Sequence, residues 1–131
     1  LSRPEDFKQY RVGVLAGDAK ERYLKDLAVT FRVPAADDAT NPSKLTLNRT
    51  EADKIDLWVT GYYTGAYVAA KTGVKDVSPV WVFETSENYL ACQPSLPQAT
   101  ADKLQKALDT MKRDGTHAKI IARYEAKIKA Q

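Results

Sequence analysis

The chain is predicted to be an α/β protein, a mostly parallel sheet flanked by helices and followed by two C-terminal helices. Three observations carry this. Short apolar runs alternate with helical repeats along residues 10 to 85. Glycines and caps stand where strand gives way to helix, at Gly17-Asp18 and Gly61-Tyr62. The last third carries two apolar stripes with helical spacing.

Within Phe7 to Leu15, Val12, Val14 and Leu15 are expected to make a short buried strand, the first, which stops at Ala16-Gly17. Asp18 with Glu21 three places on is a capping-box pattern, and Tyr23, Leu24, Leu27 and Ala28 then share one side of a helix. Val29 to Ala35 alternates as a second strand, which Pro34 places at an edge or at a strand end. Asn41-Pro42 starts a short or irregular helix reaching about Lys54, because proline at a first helical position gives up no needed donor. Asp56 to Thr60 is the third strand, and Tyr63 to Lys71 a helix closed by Gly73. Val77 to Thr85 and Asn88 to Pro94 are expected as fourth and fifth strands. Leu104, Ala107, Leu108 and Met111 make one helical stripe, closed by Gly115. Thr116 caps the next helix, whose stripe is Ile121, Tyr124 and Ile128.

With 131 residues the chain is one domain by length. No run is apolar enough to cross a bilayer, and "LSRPEDFKQY" has no signal-peptide core. Of the net charge of +3, residues 98 to 131 alone carry +4. Those cations are interleaved with acids and lack an aromatic platform, so they are read as a solvated helix face and nucleic acid is not expected as a partner. Cys92, the single cysteine, is expected as a small buried hydrophobe and His117 is the single histidine, so neither a metal site nor a cofactor is predicted. No Ser-His-Asp ordering or phosphate loop occurs, and the chain is not predicted to be an enzyme. Trp58 and Trp81 are read as core and Tyr67 as packing.

Three stretches together resemble one family: "YRVGVLAGDAKERYL", "KIDLWVTG" and "YLACQPSLPQATADKLQKALDTMKRDGTHAKIIARYE". They look like the type II periplasmic solute-binding proteins of ABC uptake systems, in the branch that binds polar amino acids. The resemblance implies two lobes joined by crossing strands, near Phe7 to Tyr10 and Phe83 to Tyr89 here. Residues 10 to 85 would be the second lobe, and residues 86 to 131 a returning strand plus helices packing on a first lobe. The chain is therefore expected to be a fragment that self-associates through its exposed stripes. It would act in the periplasm, holding a small polar molecule, an amino acid or a related carboxylate or amine, for delivery to a membrane permease. A ligand-sensing domain of a signalling protein, or more distantly a dehydratase-like enzyme, remains the alternative.

The resemblance also implies the site. Gly17, Asp18, Ala19 and Lys20 would present helix-start amides to the ligand, and Thr60, Gly61, Tyr62 and Tyr63 would face it from the third strand. Asp18 and Glu21 also explain each other locally as a cap. The family's ammonium-binding acid should fall at Gly61 or Tyr62, and neither is acidic. An ammonium buried without counter-charge costs several kcal/mol, which argues against the usual amino-acid mode. Asp56 is expected to be structural.

Overall fold

A computed structural model describes residues 1–46, 50 and 53–129, and divides into two compact units, Leu1–Glu84 and a second beginning at Thr85. The first unit is α/β. Its strands β1 (Val12–Leu15), β2 (Arg32–Ala35) and β3 (Leu57–Trp58) form a parallel sheet in the order β2-β1-β3. Val12 is opposite Arg32 on one side and Leu57 on the other. The central strand is buried along Val12, Gly13 and Val14, as expected of a strand covered on both faces.

Helix α1 (Ala19–Asp26) connects β1 to β2 and places Leu24, which is fully buried, against Val12, Val14, Val29, Val59 and Phe7. It ends short of Leu27 and Ala28, which the sequence pattern includes, because Ala28 leaves the helix at φ 55°. Two backbone bonds close the end, from Val29 N–H to Leu24 C=O (3.0 Å) and from Ala28 N–H to Lys25 C=O (2.9 Å). The same pair of bonds closes α3 (Tyr62–Lys71), where Gly73 at φ 72° supplies the left-handed residue. Ala28 thus adopts a conformation that costs a residue with a Cβ about 1–2 kcal/mol. Glycine there would relieve this cost, offset in part by the greater freedom it gives the unfolded chain. Ala28→Gly is expected to stabilise the protein by about 0.5–1 kcal/mol, read as a raised urea midpoint; a lowered midpoint would refute the account of this helix end.

Pro34 is exposed on edge strand β2, where its missing N–H interrupts no ladder. Helix α2 (Asn41–Thr46) starts at the Asn41-Pro42 pair, and both residues are buried. Its predicted continuation toward Lys54 falls largely on residues 47–49 and 51–52, outside the described residues. Asp56 is structural, since its Oδ2 accepts from Arg11 N–H at 2.8 Å at the start of the sheet.

Several expectations are corrected. Phe7 to Tyr10 is not strand: Pro4–Gln9 is a 3-10 helix, set by Pro4 in its first turn and by Asp6 accepting from Ser2 N–H (2.9 Å) and Arg3 N–H (3.3 Å). Val77 to Thr85 keeps the alternation of a strand but pairs with none among the described residues. Trp81 and Phe83 pack on the core around Phe7, while Val80 and Val82 are 72% and 62% exposed. The reason is that β3 is laddered over only Leu57–Trp58 and offers little edge to extend. Burial of the aromatic side chains holds this segment, through ring contacts of 5.7 Å between Phe7 and Trp81 and 5.3 Å between Tyr23 and Phe83.

The second unit holds α4 (Gln98–Arg113) and α5 (Thr116–Lys129), which pack on each other. Gly115 turns the chain at φ 80°, and Asp114, rather than Thr116, starts α5 by accepting from Thr116 N–H at 2.8 Å. Hydrogen bonding from Thr116 holds the Asp114 carboxyl below its usual range. Leu104 and Tyr124 remain 46% and 54% exposed, and Ile128 lies beyond the last described side chain, Lys127. Asn88 to Pro94 forms no strand, and Cys92 is exposed rather than buried, because the second unit offers no strand among its described residues for this segment to pair with.

Candidate functional site at the carboxyl edge of the sheet

The two stretches singled out from the sequence meet the sheet at one edge. Gly17 to Lys20 follow β1, Thr60 to Tyr63 follow β3, and these neighbouring strands are parallel, so both loops leave from their carboxyl ends. In the order β2-β1-β3 the chain leaves β1 toward one side and returns to form β3 on the other, which makes this end the topological switch point.

The turn after β1 is occupied by the protein's own carboxylates. Asp18 Oδ1 accepts from Lys20 N–H at 2.8 Å and pairs with Lys20 Nζ at 2.7 Å. Glu21 Oε2 accepts from Gly17 N–H at 2.7 Å, while its Oε1 meets Lys25 Nζ at 2.7 Å. The capping box is thus displaced by one residue, reaching Gly17 instead of Asp18. Burial pushes the Asp18 carboxyl up, but the Lys20 ammonium and amide outweigh it and leave it below its ordinary value. The hydrogen bonds from Lys25 and from Gly17 N–H lower Glu21 as well, against a smaller opposing effect of burial. Lys20 is consequently committed to Asp18.

Beyond β3, Gly61 starts α3 without a side-chain cap, and Tyr62 and Tyr63 project from its first turn, 58% and 51% exposed. Their rings meet edge to face, with centroids 5.2 Å apart. Tyr67, read from the sequence as packing, is 51% exposed instead, with Lys71 Nζ 6.0 Å from its ring centroid. It lies on the solvent side of α3, opposite the buried Gly65 and Ala69. Gly65 lets the helix come close to β3: a Cβ there would stand 2.3 Å from Thr60 Cγ2.

Asp38, which the sequence presents only as part of a polar connection, is the hub of this edge. It follows β2 and opens the 3-10 turn Asp38–Thr40, itself capped by Asp37 Oδ1 accepting from Ala39 N–H at 2.9 Å. Asp38 Oδ1 accepts from Trp58 Nε1 at 2.9 Å and from Asn41 Nδ2 at 3.0 Å, and its Oδ2 accepts from Thr60 Oγ1 at 3.2 Å. Trp58 is therefore half-buried and polar-anchored, not simply core. Asn41 is completely buried, and its Oδ1 has no hydrogen-bond partner. That oxygen lies against Gly13 of β1, where a Cβ would stand 3.1 Å from it. The signal for Asp38 is local but ambiguous: Asp-Asp ahead of Asn-Pro reads equally well as a helix entry.

A shallow open groove of about 770 Å³ runs beside Tyr10, Phe31 and Pro34. It follows edge strand β2 and stands away from the strand ends where the candidate residues gather, so its volume is no guide to their chemistry. Among the described residues, no group of three or more His, Cys, Asp and Glu is placed to hold a metal. The carboxyl edge can donate and accept hydrogen bonds, offer aromatic faces and present one carboxylate. Compared with family models, curated proteins and solved structures, the chain matches none.

Proposed function

We propose that this chain holds a small polar solute at the carboxyl ends of β1 and β3, as the ligand-bearing lobe of an extracytoplasmic solute-binding protein that delivers to an ABC-type membrane permease. The observation that carries the reading is the convergence of Gly17–Lys20 and Thr60–Tyr63 on the switch point of a β2-β1-β3 parallel sheet. Open parallel sheets bind ligands in that crevice, because the strand order leaves a gap there between diverging connections. Tyr62 and Tyr63 are exposed large aromatics at the same place, which suits a surface completed by a ligand or an opposing lobe.

Titrating the chain with a panel of polar solutes, followed by backbone amide NMR, tests this. Shifts confined to Gly17, Thr60, Gly61 and their neighbours are the expected result. Solutes that shift only the groove beside Phe31, or none of these amides, would remove the basis for the proposal.

A further inference from the structure

We infer that Asp38 supplies the charge of this site and that the solute it takes is a cation, an alkylamine or quaternary ammonium seated between Asp38 Oδ2 and the faces of Tyr62 and Tyr63. The inference rests on the solute-holding reading above and adds the ligand's chemistry to it.

The charges at the edge point this way. Among the described residues four carboxylates stand at it: Asp18, Glu21, Asp38 and Asp37, the last exposed and turned to the Ala39 amide as the cap of the 3-10 turn. Lys20 neutralises the first at 2.7 Å and Lys25 the second at 2.7 Å. Among the described residues, no lysine or arginine pairs with Asp38. Its three partners, Trp58 Nε1, Asn41 Nδ2 and Thr60 Oγ1, are neutral donors that hold the carboxylate in place without cancelling its charge. Oδ1 accepts two of these bonds and Oδ2 only one, so Oδ2 keeps acceptor capacity. Asp38 is partly exposed, within reach of solute.

At the turn after β1 the opposite polarity has no such opening. The Gly17 and Lys20 amides that would greet an anion are filled by Glu21 and Asp18. The aromatic pair agrees with a cation on independent grounds. Tyrosine faces attract ammonium groups through the ring quadrupole, and α3, which carries the pair, packs against the 3-10 turn that begins at Asp38. Aromatic faces combined with a carboxylate suit an alkylammonium group.

The test is titration of the chain with choline and with tetramethylammonium, read by amide NMR and calorimetry, with acetate and glucose as anionic and neutral probes. Choline is expected to shift Thr60, Gly61 and Tyr62, and its affinity to fall as sodium chloride is raised. Asp38→Asn is expected to weaken choline at least tenfold. Its amide oxygen can still accept from Trp58 and Asn41 while its nitrogen donates to the Thr60 hydroxyl, so the fold is retained. Equal choline affinity in the folded Asp38→Asn protein overturns the inference. Should that variant fail to fold by circular dichroism, the Tyr62→Ala and Tyr63→Ala pair, at exposed positions, takes its place; unchanged choline affinity in the pair is equally fatal. If acetate or glucose shifts these amides and neither ammonium does, the cation assignment falls and the solute-holding reading survives. If no probe shifts them, both fall.

Discussion

Asp38→Ala is expected to destabilise the protein by about 2–4 kcal/mol in urea unfolding, the largest loss of any single polar substitution at this edge. The carboxylate accepts from three groups, and their fates differ when it is removed. Thr60, half-exposed, can turn its hydroxyl to water. Trp58 Nε1 is only half-buried and recovers part of its bond. Asn41 can do neither, since it is completely buried and its Oδ1 already lacks a partner, so truncation leaves both ends of one buried amide unsatisfied. An unsatisfied buried polar group costs about 1–3 kcal/mol, and Asn41 accounts for most of the expected loss. Asp38→Asn should lose much less, because an amide can serve the same three partners. A loss below about 0.5 kcal/mol for Asp38→Ala would show that the hub contributes nothing to folding.

Gly65→Ala sets two effects against each other. In a helix interior, alanine is favoured over glycine by about 1 kcal/mol. Against this, the new Cβ would lie 2.3 Å from Thr60 Cγ2, a distance that atoms do not tolerate. Thr60 is β-branched and stiff, and rotating it out of the way breaks its bond to Asp38 Oδ2. Overpacking of this kind costs about 1–3 kcal/mol, and the lost bond adds to it, so a net destabilisation of about 1–2 kcal/mol is expected. Thr60→Ser removes the offending methyl and keeps the hydroxyl. In the Gly65→Ala, Thr60→Ser double variant the helix preference should win, giving stability at or above that of the Thr60→Ser parent. Additive losses in that cycle would mean that the clash is relieved elsewhere.

The local part of this fold is readable from the sequence because its causes are local. Gly17, Asp18 and Glu21 announce a strand end and a helix start within five residues, and β1 and α1 follow. Pro34 marks an edge strand by chemistry that needs no neighbour. The failures are those whose causes are distant. The segment at Val77 to Thr85 has strand composition, yet a strand also needs a partner's edge, which no pattern within the segment can report. Asp38 looks like a loop residue because its partners Trp58 and Thr60 lie 20 and 22 positions away and are brought to it only by the pairing of β3 with β1. Ala28 carries no sign of its φ of 55°, which two backbone bonds and the burial of Val29 impose. Lys20 is visible as a charge, but its commitment to Asp18 is not.

The run Val80-Trp81-Val82-Phe83, unpaired among the described residues, bears on self-association. These four residues carry no charge, favour extended backbone and show two valines to water, so they offer a template on which another strand could grow. No proline interrupts the run itself, and the guard comes from its borders: Pro79 cannot donate to a ladder, and Glu84 sets a charge where a growing sheet would need to bury one. Protection of this run against strand addition therefore falls to two residues outside the hydrophobic core, and a change at either is expected to raise self-association without altering the fold.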